Sequence, residues 1–434
     1  MTPAARTEAA IALLSAILES PGAPADALAS AFFRTRRFIG AADRRWVSER
    51  VWEILRSRRR LSWWLKAEAP TPRLFVGASL LLCGTSFSAL NALFSGSRFA
   101  PASFAPAERA GLRPLEGQSL DHPTMPEAVR LEIPDWLLAP LAARFGEALG
   151  PELLALAQPA PLDLRVNLLR ATREEARAAL FAEGLLATPT PFSPWGLRLS
   201  ARTPITGGAA FRSGLVEIQD EGSQIVALLV GAAPGMRVAD LCAGAGGKTL
   251  ALAMTMRNQG RIVAADVSET RLQTAVRRLR RAGVHNAEPH FIRPGDKWAK
   301  RHLEKFDRVL VDAPCTGTGT WRRHPDARLR LRAADLAELL ARQSVILDLA
   351  APLVRKGGRL VYATCSLLVE ENEAQVSAFL ARNPGFAPLP ATAAWPGGVP
   401  FATCLTASVP PGLLLTPLRH GTDGFFAALL ERRQ

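Results

Sequence analysis

Four short apolar runs recur in the second half of the chain, at 237–241, 261–266, 307–312 and 358–362, with helix-patterned segments between them. Continuous apolar runs of that length suit strands buried on both faces. Strands that alternate with helices build a parallel sheet, because each helix carries the chain back across it. The pattern predicts an α/β fold from residue 216 onward: a parallel sheet covered by helices on both faces.

With 434 residues the chain has room for further domains. The first hundred read as helix upon helix. Residues 9–18 are an apolar run between Glu8 and Glu19, which suits a short core helix better than a signal peptide. Residues 74–97 carry no charge, but Gly84, Thr85, Ser86 and Ser88 break them into two buried helices with a turn. A helix follows Asp43, a candidate N-cap. Residues 100–160 look like a connector with short helices at 134–145 and 152–157. Then 162–200 reads strand, helix, strand, a small βαβ-like unit whose helix Thr172 caps and Gly184 ends. The expected division is 1–130 helical, 131–215 connector and small α+β subdomain, and 216–434 the α/β domain.

Charge narrows the partners. The chain has 53 Lys plus Arg against 39 Asp plus Glu, a net charge of +14. So much positive charge on a globular chain points to a polyanion. From Arg34 to Lys66, eleven basic residues face three acidic ones and alternate with Phe32, Phe33, Phe38, Trp46, Trp52, Trp63 and Trp64. The tryptophans suit a core, and the arginines, Arg58, Arg59 and Arg60 among them, an RNA-facing patch. Cys83, Cys242, Cys315, Cys365 and Cys404 are odd in number and form no CxxC pair. No zinc ribbon, no metal and no disulfide framework is expected, and free thiols fit a reducing, cytoplasmic setting. No membrane association is expected, and a monomer is.

Three segments carry chemistry. In Met236–Leu250 a strand runs through Gly244, Gly246 and Gly247 into a helix, a turn that lets backbone approach a ligand. The dinucleotide pattern GxGxxG fails at Thr249, and the P-loop fails at Cys242. Asp266 ends the next strand, where a carboxylate accepts from a ribose diol. Glycine turn plus ribose acid suits nicotinamide and S-adenosylmethionine alike.

The second segment, 307–326, puts Asp312, Pro314 and Cys315 beyond the carboxyl end of a strand, the edge where open α/β sheets bind ligands. Arg322, Arg323 and His324 follow and are expected to contact substrate. For Arg328, Arg330 and Arg332 a solvated helix face and a basic contact surface are equally open. The third segment, Gly357–Ser366, ends a strand at Cys365. Two cysteines at paired strand ends suit covalent catalysis: a thiolate added to carbon 6 of cytosine makes carbon 5 nucleophilic. Asp312 is placed to bind either the base or the cofactor, and the base must be flipped out to reach the site.

The segments DLCAGAGGKT, VDAPCTGTGTWRRHPD and YATCS, with QDEGSQIVALL at 219–229 and DGFFAALLER at 423–432, together resemble the Sun/nucleolar-protein family of RNA cytosine-C5 methyltransferases. The likeness is to the branch acting on the bacterial small ribosomal subunit. It covers 216–434 and extends more weakly to the N-terminus, which looks like the NusB-related helical domain, while 162–200 is similar to the family's small RNA-binding subdomain. The resemblance implies a Rossmann-like methyltransferase domain, S-adenosyl-L-methionine as cofactor and ribosomal RNA as partner. It implies that Cys365 attacks carbon 6 and that Cys315 assists breakdown of the adduct. Cofactor contacts carry over to Cys242, Ala243, Gly244, Ala245, Gly246, Gly247 and Lys248, to Asp266 and Asp312, and to Asp296 in PGDK. The chain departs from the family at Ala245, where proline is usual; a cradle made of backbone tolerates that change. Rival functions are an RNA-stimulated P-loop ATPase and a non-catalytic RNA-binding protein that keeps the fold.

Overall fold

The computed structural model describes all residues except 21, 68, 202, 294, 396–411 and 434, so Cys404 lies outside the described residues. The chain forms two compact units. Unit 1 is Met1–Gln158 with Trp321–Arg332, and unit 2 is Pro159–Thr320 with Ala333–Gln434. These cuts fall at 158/159 and at both ends of the 321–332 segment, whereas the division expected above has cuts at 130/131 and 215/216.

Unit 1 is helical. Helix Pro3–Leu18 turns Leu13, Leu14 and Ile17 onto Val47, Val51 and Ile54 of helix Ala41–Arg56 and Phe75 and Leu81 of helix Pro72–Leu82 in one apolar core. The run at 9–18 is thus a core helix, and the uncharged stretch at 74–97 holds the helices Pro72–Leu82 and Phe87–Leu93. Asp43 is not an N-cap: Gly40 holds that position. Asp43 instead sits in the first turn and pairs with the Met1 ammonium and with Arg6, both at 3.0 Å.

Trp321–Arg332 completes unit 1. Asp326 Oδ2 accepts from Ala25 N (3.2 Å), Arg56 Nη2 donates to Arg322 O (3.4 Å), and Arg328 Nη1 donates to Glu132 O (3.1 Å). Leu329 packs on the core, and Arg330 Nη1 donates to Ala23 O at 2.9 Å. Arg322 and Arg328 are each only 4% exposed. The expectation for Arg322 is corrected, since it is built into unit 1 rather than turned to substrate, and of the alternatives left open for Arg328 the solvated face is excluded.

Unit 2 begins with a four-stranded sheet of β1 (Leu162–Val166), β2 (Ala187–Pro189), β3 (Gly196–Leu199) and β4 (Val216–Ile218), in the order β2-β3-β1-β4. All its pairings are antiparallel, so the unit is not the βαβ crossover that the sequence suggests. Its helix, Arg173–Ala182, is capped as expected: Thr172 Oγ1 accepts from Glu175 N, and Glu175 accepts in return from Thr172 N.

The second sheet has eight strands: β5 (Arg237–Leu241), β6 (Arg261–Asp266), β7 (Ala287–Phe291), β8 (Phe306–Asp312), β9 (Val354–Thr364), β10 (Phe386–Leu389), β11 (Leu413–Leu415) and β12 (Phe425–Arg432). The order is β10-β12-β9-β8-β5-β6-β7, with β11 also on β12. Strands β5 to β9 run parallel, and β12 lies antiparallel on β9. Val238, Ile262, Leu310 and Val361 are fully buried in its core with Ile225 and Leu252 of the covering helices. This is the two-sided parallel sheet predicted from the four apolar runs, in the Rossmann-like form that the resemblance implies. The central strands β5, β8 and β9 end level, since Leu241 is paired with Val311 and Asp312 with Ala363. That common edge is where the three chemical segments meet.

Candidate active site

The glycine turn leaves β5 through Cys242, a non-glycine residue held at φ +64°, and enters helix Gly247–Thr255. Gly246 is required by packing as well as by its φ of +77°: a Cβ there would lie 2.9 Å from the Ala275 Cβ. Gly244, at φ +56°, differs, because a Cβ added to it would enter open space with only Cys242 O as near as 4.0 Å. The turn therefore encloses a cradle that a side chain would fill. Three bonds fix it from outside. Ala243 N donates to Ala265 O (2.9 Å), Arg278 Nη1 donates to Ala245 O (2.7 Å), and Arg165 Nη1 donates to Gly247 O (2.7 Å).

Asp266 closes the cradle from the end of β6. Its Oδ2 accepts from Gly244 N and its Oδ1 from Ser268 N, each at 2.7 Å. Both oxygens are thus aimed by backbone, and each keeps a lone pair for a ligand. Lys248 Nζ lies 2.6 Å from Asp312 Oδ2. Burial would lower the Lys248 ammonium, but the charge and hydrogen bond of Asp312 raise it above its ordinary value. Beneath them, Asp240 accepts from Thr249 Oγ1 at 2.6 Å, while its Oδ1 is buried without a partner. Burial pushes the Asp240 carboxyl up to about 7. Cys242 is pushed to about 12, by burial first and then by the charges of Asp312, Asp266 and Asp240, and so stays a thiol. Asp296 stands in the loop after β7, where it accepts from Trp298 N (2.8 Å) and lies 2.7 Å from His290 Nε2.

The two cysteines meet: Cys315 Sγ and Cys365 Sγ are 3.5 Å apart. Main-chain bonds set the distance. Ala313 N donates to Ala363 O and Gly319 N to Cys365 O, both at 2.9 Å, and Gly424 N donates to Gly319 O at 2.8 Å. Gly319 and Gly424 pass so closely that a Cβ on Gly319 would lie 2.3 Å from Gly424 O. The terminal DGFF segment thus clamps the Cys315 loop. Cys315 is raised well above the ordinary thiol range, first by its hydrogen bond to Cys365, then by burial and by the charges of Cys365 and Glu371.

Sequence reasoning missed the buried network under this pair. Glu371 Oε1 accepts from Thr316 N and from Gln343 Nε2, each at 2.9 Å. Asn372 Nδ2 donates to Ser366 O (2.9 Å), and the Ser366 Oγ lies between Thr316 Oγ1 (3.2 Å) and Thr318 Oγ1 (3.3 Å). The acids in VEENE gave a signal only as adjacent polar residues in an otherwise apolar stretch. Arg165, which reaches the cradle from β1, gave none. Among the described residues no group of His, Cys, Asp and Glu could hold a metal ion, and no helix is long and apolar enough to cross a membrane.

Residues 227–431 match the family described as 16S rRNA methyltransferase RsmB/F, and residues 133–206 match the ferredoxin-like domain of RsmF/B-like methyltransferases. The chain is 37% identical over 319 residues to the probable ribosomal RNA small subunit methyltransferase B of Synechocystis sp., covering 72% of this chain and 70% of the relative. The chain belongs to the RsmB/F methyltransferase family. The ribosomal RNA small subunit methyltransferase B of Photorhabdus laumondii is 35% identical over 69% of this chain and 66% of its own length. The chain therefore spans about two thirds of the curated relatives it matches. The methyltransferase homolog protein from Pyrococcus horikoshii shares the fold, with a TM-score of 0.61 at 29% identity over 70% of this chain and 97% of that one. As an RsmB/F methyltransferase the chain takes S-adenosylmethionine as its cofactor, and the open cradle at Gly244 with the two lone pairs of Asp266 fits that group.

Proposed function

We propose that this methyltransferase transfers a methyl group to carbon 5 of a cytosine in RNA, ribosomal RNA of the small subunit, through a covalent adduct with Cys365. The observation that carries the reading is the 3.5 Å approach of Cys365 and Cys315 at the strand edge that also holds the cofactor cradle. When bound, S-adenosylmethionine supplies an electrophilic methyl on its sulfonium sulfur. The backbone of Cys242–Lys248 would hold it, with Asp266 on the ribose, Asp312 alongside and Asp296 in the loop after β7.

The cysteines divide the work. Cys315, whose thiol is raised well above its ordinary range, lies 3.5 Å from Cys365, and either sulfur can donate to the other. The thiolate is the attacking form of a cysteine, and this reading gives that part to Cys365. As the bond from Cys365 Sγ to carbon 6 forms, the ring π electrons move toward carbon 5, which takes the methyl. The carbon 5 proton then passes to water, the ring double bond re-forms and the thiolate departs, with Cys315 assisting this last stage. The Glu371–Thr316–Ser366 network holds both loops while the base is processed.

The test removes each thiol. Incubated with S-adenosylmethionine and ribosomal RNA, Cys365→Ala is expected to yield neither 5-methylcytosine nor a protein–RNA adduct. Cys315→Ala is expected to methylate carbon 5 and accumulate an adduct that survives denaturing electrophoresis, and the double variant to lose it. Adducts in Cys365→Ala and none in Cys315→Ala would exchange the roles. Full turnover in both single variants would end the covalent mechanism.

A further inference from the structure

Three consecutive arginines at the start of helix Arg58–Leu65 meet different fates. Arg59 forks the Asp135 carboxylate with two bonds of 3.0 Å and also donates to Ile133 O. Arg60 binds Glu132 Oε1 at 3.0 Å and Asp121 Oδ1 at 2.7 Å. Both are thus paired with acids of their own unit, the exposed Asp135 and Asp121 and the buried Glu132. Arg58 has no hydrogen bond or ion pair among the described residues, and its guanidinium carbon stands 5.6 Å from the Phe75 ring centroid. Its partial burial lowers its pKa, the mark of a cation with no acid to compensate it.

Arg58 also lines a cavity in unit 1. Arg58, Arg59, Ser62, Trp63, Val129 and Leu329 enclose about 440 Å³, within the range of roughly 300–1,000 Å³ usual for ligand sites. The Trp63 ring is braced from behind: its centroid lies 5.1 Å from that of Trp64 and 5.2 Å from that of His122. The cavity thus joins one unmatched cation to one rigid aromatic wall over the apolar side chains of Val129 and Leu329.

We propose that this cavity docks a single nucleotide of the RNA substrate, with its phosphate on Arg58 and its base against Trp63. The inference rests on the RNA reading of the preceding subsection. A guanidinium pairs with phosphate oxygens in a fork, and an aromatic face accepts any base. One unmatched cation suits the single charge of an internucleotide phosphodiester rather than the clustered charges of a free nucleoside triphosphate. An acidic peptide would satisfy Arg58 but leave Trp63 without a role.

The test titrates full-length protein into a labelled single-stranded RNA oligonucleotide at several salt concentrations. Arg58→Gln is expected to reduce the slope of log affinity against log salt by about 0.7. Trp63→Leu is expected to weaken binding roughly fivefold or more with the slope unchanged, and Trp63→Phe to restore part of it. Cofactor affinity and thermal midpoint, measured on each variant, report whether it is folded. Folded Arg58→Gln and Trp63→Leu proteins that bind RNA as the wild type does overturn the site. So does a Trp63→Leu variant that is normal while Arg58→Gln weakens an acidic peptide equally. Where the wild type methylates RNA but both variants bind normally, this site alone falls. Where the wild type neither binds nor methylates RNA, the functional reading falls with it.

Discussion

Asp266 does two things at once. Its carboxylate orders the glycine turn through Gly244 N and offers its remaining lone pairs to the cradle. Asp266→Ala is expected to weaken S-adenosylmethionine binding roughly ten- to a hundredfold, because hydrogen bonds to a charged group contribute about 1.5–3 kcal/mol; calorimetric titration checks it. Asp240 makes a prediction about pH. Its folded-state pKa of about 7 stands above the ordinary value of 3.8. Across that window the folded chain binds the proton more than the unfolded chain does. Stability from this group is therefore full below about pH 4 and is lost as pH rises through about 7, by at most about 1.4 kcal/mol per pH unit. Asp240→Asn should remove that slope, so its thermal midpoint gains on the wild type from pH 4 to 7; parallel curves would show that Asp240 does not titrate there. Asp266 was legible from its place at a strand end after a glycine turn. Asp240 was not, since one acid inside an apolar run gives no sign of which way it points.

At the scale of elements, the parallel strands and the level edge at Cys242, Asp312 and Cys365 could be read because buried strands have a period and glycine turns have a composition. Strand direction in the small sheet could not, since strand, helix, strand is compatible with either sense until β2 and β4 are found between and beyond them. The pairings inside the arginine cluster were hidden for a related reason. The acid that holds Arg60 lies 72 residues away, and no local pattern links them. Glu132, itself 1% exposed, accepts from Arg59 N (2.9 Å) and Arg60 N (3.0 Å) and so ties down the first turn of helix Arg58–Leu65. Burial pushes its carboxyl up, against the pull of Arg328 and Arg60. Removing one member of such a buried group leaves the others uncompensated, at a cost of about 3–5 kcal/mol. Glu132→Ala should lower the thermal midpoint of the chain while leaving cofactor affinity intact; an unchanged midpoint would show that the arginines find other acceptors.

At the scale of the whole molecule, the net charge of +14 directs attention to a polyanion, but it does not say where on the surface the charge is free. Part of it is paired within the chain, Arg59 and Arg60 with the exposed Asp135 and Asp121 and with the buried Glu132, Arg198 with the buried Asp163, and Arg281 with Glu217. The 321–332 segment has a further consequence, for the order in which the chain can assemble. A ribosome delivers the helices of unit 1 first, yet Asp326, Arg328 and Leu329, which they need, are made only after β5 to β8 have emerged. At ~5–20 residues per second, the nascent helices wait roughly ten to forty seconds with the Glu132 carboxylate lacking one of its cations. Unit 1 thus begins first and finishes late, and its completion certifies that the stretch carrying Cys315 has already been translated.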